Sequence, residues 1–383
     1  MMNGYERYIR DSFARSGIEF NGSNPWDIKV HDQRLFRRMV WQGTFGFAEA
    51  YLDRWWECDD LEEFMYRVYR TRAAAGFKLS GILTKIINAI HLLSAHSMGH
   101  AGKYVNIHYD LSNRFFEYVL GPSMVYTCAY WKNAKTLEEA QYSKFDLVCR
   151  KMKLTASDRV LELGGGFGSF AKYASAKYGC HIVFVNIGPN QCDYAREQCR
   201  DLPVTVCNCD YRDIDQYNQQ REKFDKVIAI GLGEHIGGRF MNSWFALVNE
   251  QLKDGGLFFT HQVGVDVTRT RNHPFNQKYI FPNALTPSMK QFSTAAESVG
   301  FAWQDFHDIG KHYYPTLREW YHNLLRHKDD IRNIDAARFD DRYFRIWGIY
   351  LCGAMANARA RIQHLWHLVF SKGLYEEEYE TVR

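Results

Sequence analysis

The sequence has no Cys-x-x-Cys pair: its nine cysteines are odd in number and scattered, which excludes a regular disulfide frame and favours reduced thiols. Proline is scarce, eight in 383 residues. With 28 glycines, no internal repeat and no low-complexity tract, the collagen, solenoid and tail classes go. No apolar run approaches the roughly 20 residues of a bilayer crossing. The N-terminal Met1-Met-Asn-Gly-Tyr-Glu-Arg-Tyr8 lacks a signal peptide's apolar stretch. A soluble, cytoplasmic protein is expected. What is present is 46% apolar and 24% charged residues, enough to bury a sizeable core, and 16% aromatic residues, which point to an apolar ligand or a large apolar cleft.

Acidic residues are also missing between Glu63 and Asp110, where Arg67, Arg70, Arg72, Lys78, Lys85 and Lys103 concentrate more positive charge than the chain's net +4. Inside this window Ile82, Leu83, Ile86, Ile87, Ile90 and Leu93 share one helical face, with Lys78 and Lys85 roughly opposite. Such a basic amphipathic helix suits an anionic membrane surface, each nearby cation contributing about 1 kcal/mol. It suits equally a helix packed on the protein's own core. The cations are too sparse, and lack the motif, for nucleic-acid binding.

The order of patterns predicts a small helical domain over 1–75, with Trp41, Trp55 and Trp56 as core anchors, a basic connector over 76–110, and a catalytic domain over 111–383. Thr136 and Glu139 form a capping box that opens a helix carrying Phe145, Val148 and Met152. Strand patterns follow at Arg159 to Leu163, Ile182 to Ile187, Val204 to Cys209, Asp225 to Gly231 and Gly256 to Val263. Helical stretches separate them. This predicts an α/β fold, a doubly wound parallel sheet with helices on both faces, closed by late strands at Phe301 to His307 and Leu365 to Phe370 around a helical stretch from 316 to 362.

The first strand runs into Glu162-Leu-Gly164-Gly165-Gly166-Phe-Gly168, a loop that lets a nucleotide-like ligand approach the backbone at a helix N-terminus. The G-x-G-x-G spacing, and Asn186 where an acid would hold an NAD ribose, favour S-adenosylmethionine over a dinucleotide. Glu162 is placed to meet the methionine ammonium, and Asp210 to serve the adenine end. The second and third strands thus both end beside the cofactor. Glu234 after the fourth strand and His261 at the end of the fifth should face it too, with Cys128 on a covering segment. No metal is expected, because the cysteine and histidine spacings of zinc sites are absent. A thiol protease fails on the residues around Cys128.

These motifs, with Asn21-Gly-Ser23, Asp53-Arg-Trp-Trp-Glu-Cys58, His108-Tyr-Asp-Leu-Ser-Asn113, Tyr126-Thr-Cys-Ala-Tyr-Trp131, Asp210-Tyr-Arg-Asp213, Glu234-His-Ile-Gly237 and Lys278-Tyr-Ile-Phe-Pro-Asn283, make a set. Over nearly its whole length the chain resembles the bacterial cyclopropane-fatty-acyl-phospholipid synthases. The resemblance implies a Rossmann-like methyltransferase that moves a methyl from S-adenosylmethionine to a cis double bond of a phospholipid acyl chain and closes a three-membered ring. It implies a bicarbonate base cradled by Cys128, Glu234, His261, Tyr321 and the backbone at Val263. The cofactor residues it implies are Tyr126, Thr127, Gly164, Gly166, Ile187, Gln191, Asp210, Tyr211 and Ile230, beside Glu162 and Asn186. The resemblance also implies a homodimer, cytoplasmic and peripherally associated with the inner membrane. Attack by the alkene leaves a carbocation, which the rings of Tyr130, Trp131, Tyr313 and Tyr321 are suited to stabilise.

Four positions depart from the pattern: Gly165 replaces Cys, Phe167 replaces Trp, Gly233 replaces Phe, and Gln262 replaces Thr or Ser. Loss of a ring at 233 is expected to leave space beside the reacting centre unless Phe167, Tyr313 or Tyr314 reaches in. These departures keep alternatives open: a methyl-branched or methylene product, another alkene or an amine as acceptor, or a lipid-surface protein without catalysis.

Overall fold

The computed structural model describes residues 4–71, 73, 112–217, 222–282, 284–373, 375 and 378–383. The expected basic connector, with Lys78 and Lys85, lies outside the described residues. Among them no helix is long and apolar enough to cross a membrane. They group into two compact units. The first joins residues of Met1–His100 with Arg271–Pro282 and Leu317–Ile362; the second joins Ala101–Thr270, Asn283–Thr316 and Gln363–Arg383. A contiguous division at 75 and 110 misses this grouping, because the helices Pro274–Tyr279 and Asp341–Arg359 belong with the N-terminal segment.

The first unit packs those two helices with Gly4–Phe13, Arg34–Leu52, Leu61–Thr71 and a short antiparallel ribbon of β1 (Lys29–Val30) and β2 (Trp56–Glu57). Trp56 is its anchor: wholly buried, it stacks 4.1 Å from the Phe47 ring and donates its indole N–H to the Phe47 carbonyl at 2.9 Å. Trp55 is half-buried under the guanidinium groups of Arg34 and Arg38. Trp41 is not a core residue, being 57% exposed. It lies ahead of the kink at Gly43 (φ 60°) and off the face that the helix buries there with Leu35, Phe36, Met39 and Gly43. The motif residues Asp53, Lys278 and Tyr279 have a structural use in this unit. Lys278 and Tyr279 bind the buried Glu49 at 3.0 and 2.7 Å, and Arg342 reaches Asp53 at 2.9 Å.

The second unit is built on a seven-stranded sheet of β3 (Arg159–Leu163), β4 (His181–Asn186), β5 (Val204–Asn208), β6 (Phe224–Ile230), β7 (Leu252–Gly264), β8 (Phe301–Asp308) and β9 (His364–Lys372). Its order is β5-β4-β3-β6-β7-β9-β8; neighbours are parallel except around β9, which runs antiparallel to both β7 and β8. Alternation along each strand sets the two faces. Leu161, Val183, Val227 and Phe258 face a core shared with the helices Met241–Gln251 and Met289–Ser298. Val160, Ile182, Ile228 and Phe259 face the other, shared with Leu137–Lys151, Ser169–Tyr178 and Pro189–Gln198. The chain runs outward from β3 to β5 and then returns to β3's other side as β6. The switch point for a ligand therefore lies over the carboxyl ends of β3 and β6.

Helix Leu137–Lys151 opens with the capping box of Thr136 and Glu139 and buries Phe145 and Val148 as expected. It also buries Lys151, paired with Asp305 of β8, which Arg383 binds through two further hydrogen bonds of 2.8 Å. Burial alone would push the Asp305 carboxyl up, but the two cations outweigh it and hold it below its ordinary value. Asp305→Ala is therefore expected to cost about 3–5 kcal/mol, measured by denaturant unfolding, since it strands a buried cation. A loss under about 1 kcal/mol would show that Lys151 sheds its proton or reaches water instead.

Candidate active site

The loop after β3 turns on Gly164 (φ 72°), Gly166 (φ 59°) and Gly168 (φ 80°), left-handed positions that favour glycine. A side chain at Gly166 would meet nothing within 4 Å, so this edge of the loop is open to a ligand. At Gly165 a Cβ would lie 2.3 Å from the Phe184 ring and 2.9 Å from the Glu162 carboxyl carbon; Phe184 of β4 fills the space that a cysteine would need. Asn186, at the end of β4, donates to the Gly166 carbonyl (3.2 Å) and to Gln191 Oε1 (2.8 Å), and accepts from the Ile187 N–H (3.1 Å). It is a brace for the loop. Asp210 caps the turn Tyr211–Gln216, but both its oxygens bind Arg212, at 2.8 and 2.6 Å, so the adenine role expected of it has a competitor. Tyr211 is half-buried against the core, and Ile230 ends β6 beside the switch point.

Glu162 is buried on β3 with its Oε2 unpartnered. Desolvation pushes its carboxyl up to about 8, against the opposing pull of Lys144. Lys144 escaped the sequence reading. It is wholly buried, pushed down to about 7 by burial, and its ammonium donates to Thr127 Oγ1 at 2.8 Å. Gln141, one turn earlier, donates to the Thr127 carbonyl at 2.9 Å, so two polar residues on the helix's inner stripe clamp the Tyr126-Thr127-Cys128 segment. The available signal was the spacing of Gln141, Lys144 and Lys151 on the buried side among Phe145, Val148 and Met152.

Cys128 is buried, its thiol raised far above the ordinary range by desolvation and donating to the Ala129 carbonyl at 3.2 Å. It shares a cluster with Tyr130, Leu147 and Leu365, against which Val263 and Tyr313 pack. Trp131 donates its indole N–H to Thr316 (2.9 Å), and Tyr130 sits 4.6 Å from the His312 ring. His261 is buried on β7, and desolvation holds it neutral, well below its ordinary value. Its Nδ1 pairs with Nε2 of His367 at 2.9 Å, leaving its own Nε2 without a partner. His367 was missed by the sequence reading. It lies directly across from His261 on β9, with His307 of β8 across from it in turn, a row visible only once the register is known.

Glu234 is the second residue of the helical turn Gly233–Ile236 after β6; it is half-buried, and desolvation pushes its carboxyl up to about 7. The space expected beside Gly233, unless Phe167, Tyr313 or Tyr314 reached in, is not open: the atoms nearest a Cβ there belong to Gln262 and Trp244. Phe167 points elsewhere, packed between Phe116 and Tyr194. Four of the five expected base-cradle positions, Cys128, Glu234, His261 and Val263, thus belong to the second unit. Tyr321 belongs to the first, where burial raises its hydroxyl and the Cys352 thiol lies nearby. Among the described residues no group of three His, Cys, Asp or Glu side chains could hold a metal ion. All nine cysteines are free thiols.

A doubly wound sheet with this strand order and a glycine loop closing on a buried acid at its switch point have the build of an S-adenosylmethionine-dependent methyltransferase. Comparison agrees and goes further. Residues 96–368 match the family described as mycolic acid cyclopropane synthetase. The chain is 35% identical over 372 residues, 97% of its length and 94% of the other's, to the cyclopropane-fatty-acyl-phospholipid synthase of Escherichia coli K12. Among solved structures it is similar to the cyclopropane synthase MmaA2 from Mycobacterium tuberculosis, at 25% identity and a TM-score of 0.64 over 71% of this chain and 98% of that one. The mycolic acid cyclopropane synthase CmaA1, complexed with SAH and CTAB, gives the same values. The chain belongs to the mycolic acid cyclopropane synthetase family.

Proposed function

We propose that this enzyme transfers a methyl group from S-adenosylmethionine to a cis double bond in an unsaturated acyl chain of a membrane phospholipid and closes it to a cyclopropane. The observation that carries this reading is the likeness of nearly the whole chain to the Escherichia coli synthase. S-adenosylmethionine supplies an electrophilic methyl when bound. Glu162, with its unpartnered oxygen, would take the cofactor's ammonium, and the loop at Gly164 and Gly166 would admit its backbone-hugging portion. An isolated alkene is a weak nucleophile, so alignment in a dry site supplies much of the rate. Ring closure then releases one proton from the former methyl.

Around that proton's acceptor the resemblance puts groups without a fixed charge, of which the Cys128 thiol already donates to the Ala129 carbonyl. The Cys128 thiol keeps its proton, His261 offers an unpartnered Nε2, and Glu234 sits near its midpoint at neutral pH. Such a set suits a small anion, and bicarbonate, implied by the sequence resemblance, would be held there with the backbone at Val263 and would supply the base. Tyr321 enters this proposal from the resemblance alone. The same holds for the homodimer. Contact with an anionic membrane surface is supported by the acid-free window between Glu63 and Asp110.

Lipids from cells expressing the chain provide the test. Unsaturated phospholipids should gain the mass of one methylene and lose their reactive double bond, with ring-methylene signals in the proton NMR spectrum. A methylene product keeps a double bond, and a methyl branch lacks the ring signals. Either result, or unchanged lipids, would replace this reading.

A further inference from the structure

Gly233 is a glycine for reasons of space rather than conformation. It stands at the start of a helical turn, outside the left-handed region. A Cβ there would lie 2.2 Å from Gln262 Oε1, 3.0 Å from the Gln262 amide carbon and 3.4 Å from the Trp244 ring. The missing side chain makes room for an amide.

That amide is held at both hydrogens. Gln262 is wholly buried on β7, and its Nε2 donates to Glu234 Oε2 at 2.6 Å and to the Val263 carbonyl at 3.0 Å. With Oε2 engaged, the other carboxylate oxygen of Glu234 is turned toward Gly231 and Thr127: a Cβ placed on Gly231 would be 3.9 Å from Glu234 Oε1 and 2.7 Å from Thr127 Cγ2. Thr127 is on the segment expected to meet the cofactor. The amide therefore fixes how the Glu234 carboxylate is turned, with its other oxygen on the Gly231 and Thr127 side.

We propose that Gln262 is a positioning residue for Glu234, and that Gly233 and Gln262 form a matched pair in which the glycine exists to seat the amide. The proposal rests on the reading of Glu234 as part of the reacting centre. Charge does not offer a rival explanation. The influences on Glu234 are burial, its own backbone N–H and the Gln262 amide. His235 on the same turn is pushed down to about 4 by burial, and His261 on the adjacent strand is held neutral in the same way. An amide donor favours the carboxylate over the acid, so its loss moves the Glu234 midpoint upward.

The test uses the full chain with phospholipid vesicles and S-adenosylmethionine. Gln262→Ser is expected to lower turnover about 10–100-fold, the scale of a lost hydrogen bond to a charged group. It should also raise the Glu234 midpoint, read by NMR on carboxyl-labelled glutamate with Glu234→Gln as the assignment control. Gly233→Ala, which evicts the amide, should reproduce both changes, and the double variant should be no worse than Gln262→Ser alone. A cavity or packing effect would lower stability and add in the double variant without moving the midpoint. Additive losses, or an unmoved midpoint in Gln262→Ser, would overturn the proposal. If Gly233→Ala does not fold, the midpoint in Gln262→Ser decides alone. A parent chain that makes no cyclopropane overturns the proposed function, while the Glu234 midpoint still judges the pair.

Discussion

Glu234→Ala and His261→Ala are each expected to lower turnover by about 10²–10⁴-fold while S-adenosylmethionine affinity stays within about threefold of the parent. The expectation follows from which groups each side chain serves. Glu234 is fixed through Gln262, and His261 through His367, by hydrogen bonds that leave one polar atom of each turned away from its support. The residues proposed to hold the cofactor are others: Glu162 and the loop after β3, which Asn186 braces. Losing either Glu234 or His261 should remove proton handling and leave binding. Calorimetry with the cofactor alone, set beside product formation in vesicles, separates the two effects. If either variant lost cofactor affinity in proportion to rate, the division of the site into a cofactor half and a base half would be wrong.

The strands that position these groups were legible in the sequence because each is a short apolar run in a helix-strand alternation, and the boundaries of β3 coincide with the pattern. The glycine loop was legible for the same reason, set between a strand and a helix. Three other features were not. The first unit brings together residues more than 200 positions apart, such as Glu49 and Lys278, and no local periodicity reports such a meeting. Lys144 shares the helical spacing of Phe145, Val148 and Met152, but a lysine ordinarily marks the solvent face, and its threonine partner is what the spacing does not report. The Gly233 departure could be seen but not its filling. Gln262 lies on a different strand, and which side chain fills a gap beside Glu234 depends on the β6–β7 register and the turn that follows.

Binding of S-adenosylmethionine is expected to release protons near neutral pH, and Glu162 is the source. Its carboxyl is raised to about 8, first by desolvation and against the pull of Lys144, so it is mostly protonated at pH 7 before the ligand arrives. The cofactor's ammonium pairs with a carboxylate and not with an acid. Binding must therefore displace the proton, and the affinity should rise with pH up to about 8 and level off above it. Lys144→Met removes the one charge that favours the ionised form; it should raise the Glu162 midpoint and increase the release at pH 7 toward one proton. Glu162→Gln keeps the shape of the site but has no proton to give and no charge to offer. It should abolish the release and weaken binding about 10–100-fold, the range for a charge-assisted hydrogen bond. Titration calorimetry in two buffers of different ionisation enthalpy counts the protons directly. Unchanged affinity in Glu162→Gln, or release that persists without the carboxyl, would move the ammonium site away from β3 and leave the unpartnered oxygen of Glu162 in need of another ligand.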